Sequence, residues 1–267
     1  MVEKKIQLII PMAGLGKRFV EANYKTLKPL IPIHGVPMIR LVIQNLMSNR
    51  IGRVIIIAQR ETVEEVDLRK ILGQLDVPLT IFAVESLTEG PADTVLHARD
   101  VIDGRLPIVI ANSDQYVDAK LDDFYDNLFQ DGDSGAILTM EDNDPKWSYV
   151  EMDAHGRVKN VREKEVISNQ ATVGIYGFSS AALAWRAFDE MWQQDDRTNG
   201  EFYVAPAYNF LAKSGIPISL KNLGPVSSVM YGLGTPEDLE LFISLPISRT
   251  AASQSVQDAE TMKTWVK

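Results

Sequence analysis

Gln7-Leu8-Ile9-Ile10-Pro11-Met12-Ala13-Gly14-Leu15-Gly16-Lys17-Arg18-Phe19, with Lys25-Thr26-Leu27-Lys28-Pro29-Leu30 shortly after it, reads as a strand, a tight loop and a cationic exit. Ile6 to Ile10 is a short apolar run of the kind that fills a buried parallel strand, and Pro11 ends its ladder by removing a donor. The backbone must turn there. Gly14 and Gly16 accept positive φ and carry no Cβ, so their N–H groups can approach a phosphate, while Lys17 and Arg18 place charge beside it. A lone Gly-x-Gly is more often a plain strand-to-helix turn. The cations that follow favour a loop that holds a polyphosphate. Two other glycine loops are excluded: a dinucleotide fingerprint needs a third glycine where Phe19 stands, and a P-loop needs a hydroxyl after Lys17, where Arg18 stands.

Composition sets the outer bounds. A chain of 267 residues that is 45% hydrophobic can bury one large α/β core, with room for a small appended lobe. A net charge of -9 and the lack of any basic run argue against a nucleic-acid surface, so an anionic ligand must be met locally. With no cysteine, disulfides, thiol catalysis and thiolate metal sites are excluded, and three scattered histidines make no zinc pattern. Oxygen-ligated magnesium stays open. The N-terminus enters the first strand directly and no run of about eighteen apolar residues occurs, which points to a cytoplasmic protein without a membrane segment.

Strands and helices then alternate. Pro37 to Leu46 has apolar residues at helical spacing, Arg53 to Ala58 is β-branched, Glu61 to Leu72 reads as a surface helix and Leu79 to Val84 as a third strand. A helix from Ala92 to Val101 and a strand from Pro107 to Ala111 complete a doubly wound parallel sheet of Rossmann-like type, whose ligands belong at the strands' carboxyl ends. Two stretches point into that crevice. Glu85 to Thr94 passes from loop to helix, with Gly90 free to bring its backbone to a flat base or with Thr88 as a simple cap. Ala111 to Tyr116 ends a buried strand with Asp114, which taken alone is more often a turn residue than a metal ligand.

The remainder is less regular. Leu121 to Asp131 reads as an amphipathic helix, Ser134 to Met140 as a strand, and Lys146 to Asp153 with Gly156 to Val161 as a hairpin whose turn holds His155. Ala171 to Phe178 is another strand. Ser179 to Gln194, with Trp185, Phe188, Met191 and Trp192, is a strongly apolar helix suited to the core or to a subunit contact, so a homo-oligomer stays open.

Arg18 followed by Lys28-Pro29-Leu30-Ile31-Pro32 and Gly35-Val36-Pro37-Met38-Ile39 resembles the compound signature of the nucleotidylyltransferases that join a nucleoside triphosphate to a sugar 1-phosphate or related phosphoester. The resemblance spans roughly residues 5 to 245. It implies an α/β, Rossmann-like doubly wound mixed sheet of the glycosyltransferase-A-like kind with a small acceptor-binding lobe. An NTP-binding part would cover about 1–118, an acceptor-binding part about 119–245, and a polar tail without hexapeptide repeats 246–267. It further implies that Arg18 and Lys28 are catalytic. Ala13, Gly14, Gly16, Lys17 and Gly90 would bind the NTP, with Glu85 and Thr94 as weaker base contacts. On the acceptor side it implies Asp114, Glu163, Lys164, Gly174 and Glu201, with Lys164 on the acceptor phosphate; Glu163 is otherwise inert surface charge and Glu201 a helix-start acid.

Magnesium enters through Asp114, which matches the family's metal-binding aspartate, because nucleotidyl transfer needs the triphosphate's charge neutralised. One departure stands out in Met230-Tyr231-Gly232-Leu233-Gly234-Thr235-Pro236-Glu237-Asp238: relatives often place a second metal-binding aspartate where this chain has Gly232. Asp238 is a candidate substitute. The expected reaction joins an NTP to a phosphorylated acceptor, a sugar 1-phosphate first, with pyrophosphate released for surface polysaccharide precursors. The alternatives are a cytidylyltransferase for a non-sugar phosphoester such as phosphocholine, and an inactive nucleotide-sensing subunit.

Overall fold

The computed structural model describes residues 5–255. In chain order its strands are β1 (Ile6–Pro11), β2 (Pro32–Ile33), β3 (Val36–Pro37), β4 (Ile51–Gln59), β5 (Leu79–Val84), β6 (Ile108–Ala111), β7 (Gln115–Val117), β8 (Gly135–Glu141), β9 (Ser148–Met152), β10 (Val158–Glu163), β11 (Gln170–Phe178), β12 (Ile218–Pro225) and β13 (Met230–Gly232). Nine of them form one sheet. β5, β4, β1 and β6 run parallel in that order, β11 lies antiparallel beside β6, and β11 carries β8 and the β9/β10 hairpin, with β12 parallel to β8. The sheet is mixed, α/β and doubly wound.

Period-two side-chain geometry explains the continuous apolar runs. Leu8, Ile10, Val54 and Ile56 face one core, closed by the helix Met38–Leu46, while Ile9, Ile55, Ile57 and Ile110 face the other, closed by Pro91–His97 and Ala181–Gln193. Both faces are covered, so both alternations are apolar. The chain leaves β1 for β4 and β5, then crosses back to β6 on the other side of β1. A crevice opens at such a reversal, outside the carboxyl ends of β1 and β6.

Four expected elements differ; the helix expected over Ala92 to Val101 is Pro91–His97, followed after Ala98 by a 3-10 turn, Arg99–Val101. The helix expected over Glu61 to Leu72 is two, Arg60–Glu65 and Leu68–Leu72, because Val66 is extended and the Asp67 carboxylate accepts the Lys70 N–H at 3.0 Å, starting a new helix. The helix expected over Leu121 to Asp131 is a short one, Asp122–Asp126, continued by a 3-10 turn. The stretch from 246 is not a polar tail where the structure describes it. Pro246–Gln254 is a helix whose Ser248, Ala251 and Ala252 are buried against the rest of the core, and Arg40 Nε donates to the Ser255 carbonyl at 2.8 Å. Small residues let it pack closely, which low hydropathy hides. The remainder of that expected tail, 256–267, lies outside the described residues. Among the described residues no helix is long and apolar enough to cross a membrane.

Candidate active site

The loop after β1 is fixed from behind. Met12 N–H donates to the Ile57 carbonyl at 2.8 Å, and Gln59 Nε2 donates to the Ala13 carbonyl at 2.6 Å. Gly16 has φ 60°, and a Cβ there would stand 3.1 Å from Lys28 Cβ, so glycine is what lets Lys28 fold back over the loop. Lys28 Nζ is hydrogen-bonded to Asp114 Oδ2, at the end of the segment that follows β6. A Cβ at position 234 would lie 2.8 Å from the same oxygen, so Gly234 makes room for this pair.

Two adjoining clefts meet at that ion pair. One, of about 390 Å³, is walled by Ala13, Gly14, Thr88, Gly90 and Thr94. The other, of about 480 Å³, is walled by Arg18, Trp147, Glu163, Gly174, Tyr203 and Asp238. Gly16, Lys17, Lys28, Asp114 and Glu201 line both. Arg18, Lys28 and Asp114, brought together from three separate elements, thus share one continuous crevice.

Several expected residues carry other duties. Gly90 has φ 123°, and a Cβ would stand 2.6 Å from the Phe202 carbonyl oxygen; Phe202 N–H donates to the Glu89 carbonyl at 2.7 Å and Ala92 N–H to the Phe202 carbonyl at 3.0 Å. Its missing Cβ therefore serves this backbone crossing. Gly90 is also the helix cap, in place of Thr88, whose hydroxyl instead lies 2.6 Å from that of Thr94 while Thr94 donates to the Gly90 carbonyl. Glu85 is exposed, gripped by both the Arg60 Nε and Nη2 donors, and lies outside the residues lining either cleft. Gly174, at φ 74°, sits in a register shift of β11, and a Cβ there would stand 2.5 Å from Gln115 Oε1 and closer still to the Asn112 amide.

Lys164 departs from the expectation that its ammonium meets the acceptor. At φ 57° its side chain turns away, Nζ donating to the Tyr203 phenol 4.4 Å from the ring centroid, outside the cleft-lining residues. Glu163 is the group that faces in, 7% exposed, accepting from Ser148 Oγ and 3.9 Å from Lys164 Nζ. Burial pushes its carboxyl above the usual range, against the opposing pull of Ser148 and Lys164.

Sequence reasoning missed Tyr203, Lys146 and Trp147. The first was findable: in an extended segment Tyr203 stands two residues from Glu201 and shares its side. Lys146 gave no such signal; its Nζ lies 3.2 Å from Asp238 and 4.7 Å from the Trp147 ring centroid. A Cβ at 232 would stand 3.3 Å from Asp238 Oδ2 and 3.4 Å from Trp147 Cη2, so these side chains fill the space that Gly232 leaves.

Among the described residues no group of three or more His, Asp or Glu side chains could enclose a metal. A magnesium that keeps its waters and is bound through one carboxylate and substrate phosphates asks for less. Asp114, in the crevice and balanced by Lys28, fits that requirement.

Residues 7–204 match the nucleotidyl transferase family. Over 181 residues the chain is 25% identical to the bifunctional protein GlmU of Methanococcus maripaludis, a match covering 66% of this chain and 40% of that protein, so the chain spans less than half of that relative. Among solved structures it resembles the nucleoside-diphosphate-sugar pyrophosphorylase from Vibrio cholerae RC9, with TM-score 0.73 and 21% identity over 89% of this chain and 100% of that one. It also resembles the inositol-1-phosphate CTP transferase from T. maritima, with TM-score 0.73 and 12% identity over 96% and 99%. At such identities the likeness speaks to the fold.

Proposed function

Because this chain belongs to the nucleotidyl transferase family, we propose that it joins an NTP to a phosphorylated small molecule, first a sugar 1-phosphate, and releases pyrophosphate. The observation that carries this is the single crevice shared by Arg18, Lys28 and Asp114. The smaller cleft takes the nucleotide, with the backbone of Gly14 and Gly16 against the phosphates, and the larger takes the acceptor.

An acceptor phosphate is already a nucleophile at neutral pH, so no covalent enzyme intermediate is needed. One of its oxygens attacks the α-phosphorus, and the bond from that phosphorus to the β-bridging oxygen breaks, its electron pair leaving with pyrophosphate. Arg18 and Lys17 stabilise the charge that gathers on the leaving group, and Lys28 the charge at the α-phosphate, so catalysis is positioning plus electrostatics. Bound Mg²⁺ would be held by Asp114 and would supply neutralisation of the triphosphate. With nucleotide present, Lys28 exchanges its carboxylate partner for phosphate. The setting this reading proposes is cytoplasmic synthesis of surface polysaccharide precursors.

A second acceptor class has one observation in its favour. Trp147, Tyr176 and Tyr203 line the larger cleft beside Glu163, Glu201 and Asp238, a lining suited to an ammonium group as in phosphocholine. Magnesium-dependent pyrophosphate release across a panel of NTPs with sugar 1-phosphates and choline phosphate tests both. Arg18→Ala should reduce turnover by about a hundredfold or more with an unchanged melting temperature. Near-normal release by that variant would overturn the assignment.

A further inference from the structure

We propose that Arg197, which lines neither cleft, is a positioning residue for both: it clamps the loop that walls the nucleotide side to the turn that carries Glu201. This rests on the assignment of the two clefts above and adds to it a residue that touches neither substrate. The guanidinium uses its face and its edges separately. Its carbon stands 4.0 Å from the centroid of the Phe202 ring, which is itself stacked on Trp192 with centroids 4.4 Å apart. Nε donates to Asp195 Oδ1 at 2.5 Å, Nη1 donates to the Gly200 carbonyl at 3.2 Å, and Nη1 is also ion-paired with Glu89 Oε2. A planar, permanently charged group can stack on a ring while its N–H groups reach outward in the plane, and a lysine ammonium cannot.

Two of its partners sit one residue from a cleft wall. Glu89 lies between Thr88 and Gly90 of the smaller cleft, and Gly200 precedes Glu201, which lines both. The Glu89 backbone is already held, its N–H donating to the Asp93 carboxylate at 2.8 Å and its carbonyl accepting the Phe202 N–H at 2.7 Å. Arg197 takes its side chain as well. The turn on the other side needs such a partner. Asp195, Asn199 and Gly200 have φ of 48°, 51° and 81°, a region that the first two enter against steric resistance. Thr198 and Glu201 close the turn with a pair of 3.0 Å backbone hydrogen bonds, and the Asp195 and Asp196 N–H groups donate to the Trp192 and Met191 carbonyls of the helix Ala181–Gln193. Arg197 thus joins that helix end, the turn and the nucleotide-side loop. With side chains 28% and 50% exposed, the ion pair of Arg197 with Glu89 is weak by itself. Its hold comes from stacking on the fully buried Phe202 and from the other two edge contacts.

Arg197→Met keeps an apolar stem over Phe202 and removes the charge with all its edge contacts. Amide exchange reads the clamp without any substrate: the Phe202 and Ala92 amides, which cross between the two walls, should exchange roughly tenfold faster, while amides of β1 and β4 keep the parent rate. With the NTP and acceptor phosphate that give turnover in the panel above, both KM values should rise roughly three- to tenfold and kcat should change less. The melting temperature should stay within about two degrees, because the groups left behind reach solvent. Glu89→Met cuts the nucleotide side alone. It should raise the KM for NTP with the acceptor KM within about twofold, and adding it to Arg197→Met should raise the KM for NTP no further, since both break one contact. Parent-like exchange at Phe202 and Ala92, additive losses in the double variant, or a lowered melting temperature with both KM values unchanged would overturn the proposal. A parent enzyme that releases no pyrophosphate with any acceptor would overturn the reaction instead, and the exchange rates would still decide the clamp.

Discussion

Glu163 shows at the scale of one residue how a site group costs stability. Burial lifts its carboxyl above the usual 4.5, so the folded chain holds that proton more tightly than the unfolded chain does. Stability from this difference is complete below pH 4.5 and is lost as pH rises through the lifted value, above which the buried carboxylate works against the fold. Glu163→Gln should therefore melt higher than the parent at neutral pH, with the gap closing in acid, while losing acceptor affinity. Melting curves across that pH range check it, and a variant that melts lower at neutral pH would refute the account. Other site residues were legible to different degrees. Gly14 to Arg18 could be read from the loop's own glycines and cations, whereas Lys28 and Asp114 entered only through the family resemblance, since a lone lysine or strand-end aspartate says little by itself. Glu85 and Lys164 could not be placed in the same way: one is captured by Arg60, and the other is turned aside by a left-handed backbone and held by Tyr203. Partners so distant in sequence leave no trace in local spacing.

Among the elements, the loop that leads into the helix Pro91–His97 and the segment Thr198 to Val204 act as one unit, because their backbones cross at Gly90. Gly90→Ala places a methyl 2.6 Å from a carbonyl oxygen at φ 123°, and neither backbone can yield without breaking the Glu89–Phe202–Ala92 hydrogen bonds. The expected cost is about 2–3 kcal/mol in urea unfolding, accompanied by a raised KM for NTP. A variant as stable as the parent would show that the crossing is loose. This crossing was invisible in the sequence, where Gly90 reads equally well as a base contact. Strands were legible wherever both faces are covered, since the apolar run is then unbroken. Helices were mis-bounded where an internal cap intervenes, as Asp67 does with its bond to Lys70.

For the whole molecule, alternation along the sequence was enough to yield a parallel, doubly wound half-sheet with its crevice at the strands' carboxyl ends, but not the strand order β5-β4-β1-β6. The family resemblance implied a mixed sheet but not that β11 would be the strand seated antiparallel beside β6, because strand partners are chosen by tertiary packing. The same limit applies at the C-terminal end. Ser248, Arg249, Thr250, Ala251 and Ala252 read as a polar stretch, yet the helix Pro246–Gln254 closes the core, with Ser248 2.7 Å from His34 Nε2 and the Ser255 carbonyl receiving the buried Arg40. Ending the chain after Leu245 would uncover part of the core that also contains Met38 and Phe19, and would take the Ser255 carbonyl from a guanidinium that is 6% exposed. Lost burial and a lost charged hydrogen bond together should lower stability by roughly 3 kcal/mol or more. The truncated chain should show an earlier urea midpoint and activity that falls with its folded fraction, whereas Arg40→Met in the intact chain should lose less, since the helix can still pack. If the truncated chain unfolded at the parent's midpoint, the helix would be an appendage and the core would close without it.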